Sequence, residues 1–227
     1  MEIIKPRIIV DGPPSYEKML SKIESAGRIC YQSEPKGDPE KFIRGIINSG
    51  HTSVIEHEFL SFKIICSRGV THELVRHRIA SYSQESQRYV NYEKKNGVQF
   101  IDPIQFSKPT KESAILFNIW SEACLYSEQT YDHMIKLGAK PQEARLVLNN
   151  SCKTQIEMTL DLRSLQNFFK LRCAKDADAP MKEIAIPMLK YCQDKYPVFF
   201  SDIKYDTDFE KDYIPDWKTY ISEHNYD

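Results

Sequence analysis

No apolar run in the chain approaches the roughly 20 residues that cross a bilayer, and residues 1–6 lack the long apolar core of a signal peptide. No membrane partner is expected, and a cytoplasmic setting is. Net charge is nearly missing as well, at −1 formally at pH 7, which argues against a nucleic-acid partner or a polybasic anchor. The six cysteines, Cys30, Cys66, Cys124, Cys152, Cys173 and Cys192, include no Cys-x-x-Cys pair. Reduced thiols are therefore expected, in place of a disulfide framework or a zinc site. His72 and His77 are spaced off any shared helix face, so no metal site is expected either. No internal repeat, low-complexity tract or interdomain linker interrupts the chain, and residues 1–227 are expected to form one domain.

What is present is a globular balance: 41% hydrophobic and 28% charged residues over 227 positions, enough for a substantial core. Met19, Leu20, Ile23 and Ala26 fall at helical spacing within residues 15–26. After a polar loop at 32–37, a second helix is punctuated by Asp38 as N-cap, Pro39 in the first turn and Gly50 as stop. Residues 58–66 alternate as a strand, with Leu60, Phe62, Ile64 and Cys66 on one side. Thr71 is placed to cap a short helix reaching His77 or Arg78. The longest helix spans 111–137, carries Ile115, Leu116, Ile119, Trp120, Ala123 and Met134, and stops at Gly138; Pro141 opens another through Leu148. In 153–160, Thr154, Ile156, Met158 and Leu160 alternate with Lys153, Gln155, Glu157 and Thr159, a strand with one wet face and hence of antiparallel type. A helix over 162–173 follows, then one from Pro180 that Pro187 kinks or interrupts. The acidic, aromatic tail after Tyr205 suggests no role. The expected fold class is α+β: one domain, a mainly antiparallel sheet flanked by helices, including one long helix.

Three segments carry candidate chemistry. Residues 76–89 pack Arg76, Arg78, Arg88, His77, three serines and two glutamines into a stretch with few core-forming side chains. Arginine forks, hydroxyls and loop amides together suit phosphate and carbonyl-rich heterocycles. On the expected short helix, Glu73, Arg76 and His77 share one face; an exposed ion pair on a solvated turn is the plainer alternative. Near-zero net charge with local arginines points to a small anion in a pocket. The second segment, 51–57, is by itself an unremarkable polar turn. In the third, 161–172, Arg163 and Asn167 share a polar edge, while Arg172 shares an apolar edge with Leu165, Phe168 and Phe169. A guanidinium among phenylalanines needs an anion or carbonyl partner, unless its stem snorkels over the rings.

The pattern Arg76-His77-Arg78, seven residues, then Ser86, continuing through Gln87-Arg88-Tyr89, resembles the signature of the flavin-dependent thymidylate synthases. Residues 51–57 and 161–172 resemble two further segments of that family in order and spacing, so the likeness runs from about Arg28 to Tyr196. It implies reductive methylation of dUMP to dTMP, with 5,10-methylenetetrahydrofolate as carbon donor, FAD reduced by NADPH as hydride carrier, and no cysteine nucleophile. It places dUMP against Glu73, Leu74, Val75, Arg76, Gln84, Glu85, Ser86, Gln87, Arg88, Arg145 and Arg172. The flavin falls to Ser53, Arg76, His77, Arg78, Gln84, Asp161, Leu162, Arg163 and Asn167, with His51 facing the nicotinamide or folate side. Arg172 matches the arginine that polarises uracil by favouring ionisation at N3, which makes C5 nucleophilic. A homotetramer with active sites shared between chains is implied too. The chain departs from the family at Ser83 and Gln84, where Asn and Glu are common, at Asp161, where Asn is usual, and in the long loop 173–183. These departures leave room for a nucleotide-dependent flavoenzyme that uses no folate; a non-enzymatic nucleotide-binding module is the other rival.

Overall fold

The computed structural model describes residues 1–95 and 97–226. Strands β1 (Glu2–Ile4) and β2 (Arg7–Asp11) lead into helices α1 (Tyr16–Tyr31) and α2 (Pro39–Asn48), and a 3-10 helix (Thr52–His57) precedes β3 (Phe59–Ser67). Helix α3 (Arg68–Leu74), β4 (Ser81–Gln84) and β5 (Gln99–Ile101) follow, then the long α4 (Lys111–Lys136), the single-turn α5 (Pro141–Ala144) and a 3-10 turn (Arg145–Val147). The chain continues through β6 (Lys153–Asp161), α6 (Leu162–Arg172), α7 (Ala179–Lys195), α8 (Pro197–Phe200), α9 (Thr207–Tyr213) and β7 (Ile221–His224).

Local chemistry sets most of these boundaries. The Asp38 carboxylate accepts from the Glu40 N–H at 2.9 Å and starts α2, while Gly50 takes φ +78° after its end, a conformation glycine adopts without penalty. Thr110 caps α4 by accepting from the Ser113 N–H, and Gly138 turns the chain at φ +94°. In β3 the buried positions are Leu60, Phe62, Ile64 and Cys66, the side expected from the alternation.

Helix α3 differs from expectation. Its N-cap is Ser67, whose hydroxyl accepts from the Val70 N–H at 3.3 Å, and Thr71 sits inside the helix donating to the Arg68 carbonyl at 2.9 Å. The helix ends at Leu74, so Arg76 and His77 lie beyond it and share no helix face with Glu73. Strand β3 runs straight into this helix, and burial of Val70 and Leu74 fixes its phase. The polar segment after His77 holds strand β4, the helix from Pro141 breaks after one turn, and α7 continues through Pro187. Pro187 is buried beside Ile186 and Met188, and apolar packing there outweighs the ~3 kcal/mol that an interior proline costs a helix.

A five-stranded sheet has the order β4–β6–β3–β2–β7 and a two-stranded one pairs β1 with β5. The Leu162 N–H donates to the Glu58 carbonyl at 3.0 Å, and Ser61 meets Thr159 at 2.7 Å. Residue numbers thus rise along β3 as they fall along β6, an antiparallel pair. β2 and β7 are parallel, with Ile8 opposite Ile221 and Asp11 opposite His224. The sheet is accordingly mixed, and one strand of its parallel β2–β7 pair comes from the tail.

By contact density the chain forms two compact units: Met1–Arg7, Ile64–Arg76 and Ser83–Ile156 in the first; Ile8–Lys63, His77–Tyr82 and Glu157–Asp227 in the second. The first unit's core joins Tyr92, Val98, Phe100, Cys124, Tyr131, Ala144 and Cys152. Its long α4 buries Cys124, Ser127 and Tyr131, leaving Ile115, Leu116, Ile119 and Tyr126 exposed. In the second unit α1 packs on α2, and α6 packs on the 3-10 helix and α7. Phe168 and Phe169 are edge-on to one another at 5.5 Å, both fully buried, and Phe169 meets Phe200 at 5.8 Å.

Candidate functional site

In the second unit the candidate residues gather at the two ends of α6. Asp161 starts the helix: one carboxylate oxygen accepts from the Ser164 N–H at 2.8 Å and the other from the Ser164 hydroxyl at 2.6 Å. Both oxygens of this buried group are therefore committed to capping. Leu162 is wholly buried, and its N–H is taken by Glu58. One turn on, Arg163 pairs with Glu56 of the 3-10 helix, both half-exposed. Asn167, Ser53 and Arg78 present their side chains to solvent.

At the other end of α6, the Arg172 Nε–H donates to His77 Nε2 at 3.0 Å. The imidazole is edge-on to Phe168, with centroids 5.0 Å apart, and the Tyr82 hydroxyl donates to the His77 carbonyl at 2.9 Å. A nitrogen that accepts must carry its lone pair, so the neutral ring is protonated at Nδ1. Burial, and then the Arg172 charge, push His77 below the ordinary histidine range. Burial pushes Tyr82 up to about 12, with Arg172 acting in the opposite sense. At neutral pH the guanidinium thus faces a neutral imidazole and a neutral phenol. The ring nitrogen is one partner of Arg172, and the sequence did not point to it.

In the first unit, residues 84–88 are tied down one by one. Gln84 Nε2 donates to Thr71 Oγ1 at 2.9 Å and to Thr154 Oγ1 at 3.4 Å. Since the Thr71 hydroxyl proton goes to Arg68, it must accept from Gln84, which fixes the amide's orientation and leaves Oε1, an acceptor, as the end that can meet a ligand. Glu85 accepts from the Tyr92 hydroxyl at 2.8 Å and from Lys153 Nζ at 3.0 Å; burial, then the Glu85 charge, push the Tyr92 phenol well above its usual range. That carboxylate is a structural brace. Gln87 is buried and donates to Cys152 Sγ at 3.6 Å. The Ser86 hydroxyl accepts from the Arg88 N–H at 3.2 Å, and Arg88 Nε donates to Gln142 at 3.2 Å. This last contact brings the turn after β4 to the segment that carries Arg145. Arg76, Arg88 and Arg145 are all exposed. Leu74 is core, Val75 is 40% exposed, and the Glu73 carbonyl accepts the Arg76 N–H at 3.1 Å.

Sequence reasoning gave Gln142, Thr154 and Tyr82 no part in the site and read Thr71 as a helix cap; Phe168 it set beside Arg172, but not against His77. Tyr82 and Phe168 lay inside the segments singled out; Tyr82 reaches back only five residues to His77, whereas Phe168 meets the same residue from a distant part of the chain. The thiols offer no activated nucleophile among the buried cysteines: burial pushes Cys152 up to about 11, with Gln87 opposing, and raises Cys66, Cys124, Cys173 and Cys192.

Comparison with known proteins agrees with the signature. Residues 15–198 match the family described as thymidylate synthase complementing protein. A flavin-dependent thymidylate synthase of Pyrococcus furiosus is 37% identical over 157 residues, covering 68% of this chain and 63% of the relative. Those of Geobacter sulfurreducens and Mycobacterium bovis are 35% and 36% identical; this chain is covered over 78% and 87%, and spans 78% and 82% of them. In fold, the chain is similar to a UMP/dUMP methylase PolB from Streptomyces cacaoi, solved with 5-Br dUMP, at TM-score 0.76 and 21% identity over 88% of this chain and 96% of that one. With the signature, both flanking segments and α6 all inside the matched residues, the chain belongs to the thymidylate synthase complementing protein family, that of the flavin-dependent thymidylate synthases.

Proposed function

We propose that the protein is a methyltransferase that converts dUMP to dTMP at C5, acting as one domain over residues 1–227. The observation that carries this reading is the family match over 15–198, which contains every candidate residue named above. Reduced FAD, recharged by NADPH, would supply the hydride, and 5,10-methylenetetrahydrofolate the carbon. The chain's own part is orientation and electrostatics. Arg88 and Arg145, with the Ser86 turn, hold the nucleotide phosphate. Gln84 offers an acceptor to a ribose or base donor. Arg172 meets the uracil edge and stabilises negative charge as N3 loses its proton, which raises electron density at C5.

The donor set fits a flavin dinucleotide. Arg78, Arg163, Asn167 and Ser53 are exposed donors, and a diphosphate taking Arg163 from Glu56 displaces only an exposed ion pair, worth about 0–1 kcal/mol. Asp161 serves this site indirectly, by starting the helix that carries Arg163 and Asn167. Assembly as a homotetramer with shared active sites fits the uncovered apolar stripe Ile115, Leu116, Ile119 and Tyr126 on α4.

The test is the visible absorption of FAD-loaded protein under anaerobic NADPH, with and without dUMP. Faster bleaching with the nucleotide, together with folate-dependent dTMP formation, is the expected outcome. Bleaching without any folate requirement indicates a different nucleotide-dependent flavoenzyme. A protein that takes up no flavin refutes the reading.

A further inference from the structure

A cavity of about 670 Å³ opens between α1 and the loop after it, and it is lined by no residue assigned to flavin or dUMP. Three carboxylates, Glu17, Glu24 and Glu34, line it against a single guanidinium, Arg28. A second cavity, of about 710 Å³, shares Glu17, Ser21, Ser25 and Ile29 with the first and adds Lys18, Lys22 and His57. The two adjoin as one groove along α1, acidic in one half and basic in the other. We propose that this groove binds a flat heterocycle with a 2-amino-4-oxo edge and an anionic tail. That chemistry is shared by the pterin of a folate and the guanine of a nucleotide.

Two groups in the acidic half have hydrogen-bonding capacity left over. Glu24 is 8% exposed, and both donors that reach it, Arg28 Nε at 3.2 Å and Nη2 at 2.9 Å, go to Oε1. Among the described residues no donor reaches Oε2. The Ser33 hydroxyl is buried with no hydrogen-bond partner, although the left-handed turn at Gln32, φ +44°, brings that serine to the cavity wall. Buried polar groups are costly to leave unmatched.

Arg28 itself shows what suits the open oxygen. Its Nε–H and Nη2–H are two donors on one carbon, and they converge on Oε1. A 2-amino-4-oxo edge carries the same pair, a ring N–H beside an amino group, and offers it to Oε2 in the same way. The neighbouring oxo group then accepts from the Ser33 hydroxyl, which rotates to meet it. Arg28 lies 3.8 Å from the centre of the Phe42 ring of α2, so the carboxylate is held in place before any ligand arrives. The surplus of carboxylates keeps an anionic tail out of this half and turns it toward Lys18, which has no carboxylate partner among the described residues; Lys22 is paired with Glu58 at 2.8 Å. The site goes beyond the flavin and dUMP reading. Its pterin form rests on the folate requirement proposed above, and its guanine form does not.

The experiment is calorimetric titration of 5-formyltetrahydrofolate, guanosine monophosphate, guanosine and adenosine monophosphate into the wild-type chain, Glu24→Gln, Ser33→Ala and Lys18→Glu. The folate or guanosine monophosphate should bind roughly tenfold or more tighter than adenosine monophosphate, whose base lacks the edge. Glu24→Gln keeps an acceptor for Arg28 but turns an amide NH2 toward the ligand's donors, and should remove that preference. Ser33→Ala should weaken binding about two- to tenfold. Lys18→Glu should weaken the tailed ligand by about as much and leave guanosine unchanged. Sensitivity of the folate to these variants identifies a pterin occupant, and sensitivity of guanosine monophosphate a guanine nucleotide. Binding of neither, or binding that no variant alters, overturns the site; should Glu24→Gln fail to fold, Ser33→Ala and Lys18→Glu decide it. Formation of dTMP by wild type, measured in parallel, keeps the two readings apart. It persists if only the groove fails, and its absence refutes the proposed function without touching the guanine arm.

Discussion

Replacing Asp161 separates two roles that one residue cannot easily combine. The family resemblance assigns this position to flavin, yet both carboxylate oxygens are spent on Ser164, at 2.8 Å to its N–H and 2.6 Å to its hydroxyl. Loss of an N-cap side chain costs about 0.5–2 kcal/mol, and loss of a negative charge at the first turn adds roughly 0.3–1 kcal/mol. Asp161→Ala should therefore destabilise by about 1–3 kcal/mol, or roughly 2–10 °C in Tm for a chain of this size. Asp161→Asn keeps a capping oxygen, and its amide can donate to the Ser164 hydroxyl. It should cost about 1 kcal/mol or less. Thermal melts at fixed protein concentration, alongside FAD titrations of both variants, supply the measurement. FAD affinity should fall in Asp161→Ala only as far as the frayed first turn displaces Arg163 and Asn167. An Asp161→Ala protein with unchanged Tm and abolished FAD binding would refute the capping argument and return the carboxylate to the flavin.

Legibility followed the range of the forces involved. Asp38, Pro39 and Gly50 act within one turn of backbone, so α2 could be delimited from sequence; so could β3 and β6, whose alternation is a local consequence of pleating. Where a long-range contact decides, the residues mislead. Thr71 has the chemistry of a cap, but β3 continues to Ser67, which caps instead, and the helix stops three residues short of His77. Strand β4 lies in a polar stretch with no apolar alternation, and pairing with β6 makes it a strand. The tail's β7 is likewise a strand because β2 accepts it. The candidate site divides in the same way. Arginine, serine and glutamine in 76–89 were visible as an anion-binding inventory, and the signature supplied a chemistry for it. Which candidate side chains are committed elsewhere was not visible: Glu85 to Tyr92 and Lys153, Gln87 to Cys152, Asp161 to Ser164. A motif records residue types at fixed spacing, whereas the partner that uses up a side chain's hydrogen-bonding capacity can lie anywhere along the chain.

Three further perturbations follow from that division between committed and available groups. Arg172→Ala should lower dTMP formation by roughly 100-fold or more while FAD remains bound, the loss seen when one donor to a developing anion is removed; near-normal turnover would disprove the uracil assignment. Arg88→Ala should raise the dUMP concentration for half-saturation about ten- to hundredfold, and Gln142→Ala, which removes only the support of Arg88, about two- to tenfold. Unchanged values in steady-state titrations would take both residues out of phosphate binding. Glu85 tests the opposite case, because its carboxylate faces inward: Glu85→Ala leaves the Lys153 ammonium, 17% exposed, and the Tyr92 hydroxyl without their acceptor, at a cost of about 3–5 kcal/mol of stability. Glu85→Gln keeps an acceptor for one of them and should melt between the two; if it melts like wild type but raises the half-saturating dUMP concentration tenfold or more, then the carboxylate faces the nucleotide and the brace is the wrong description of it.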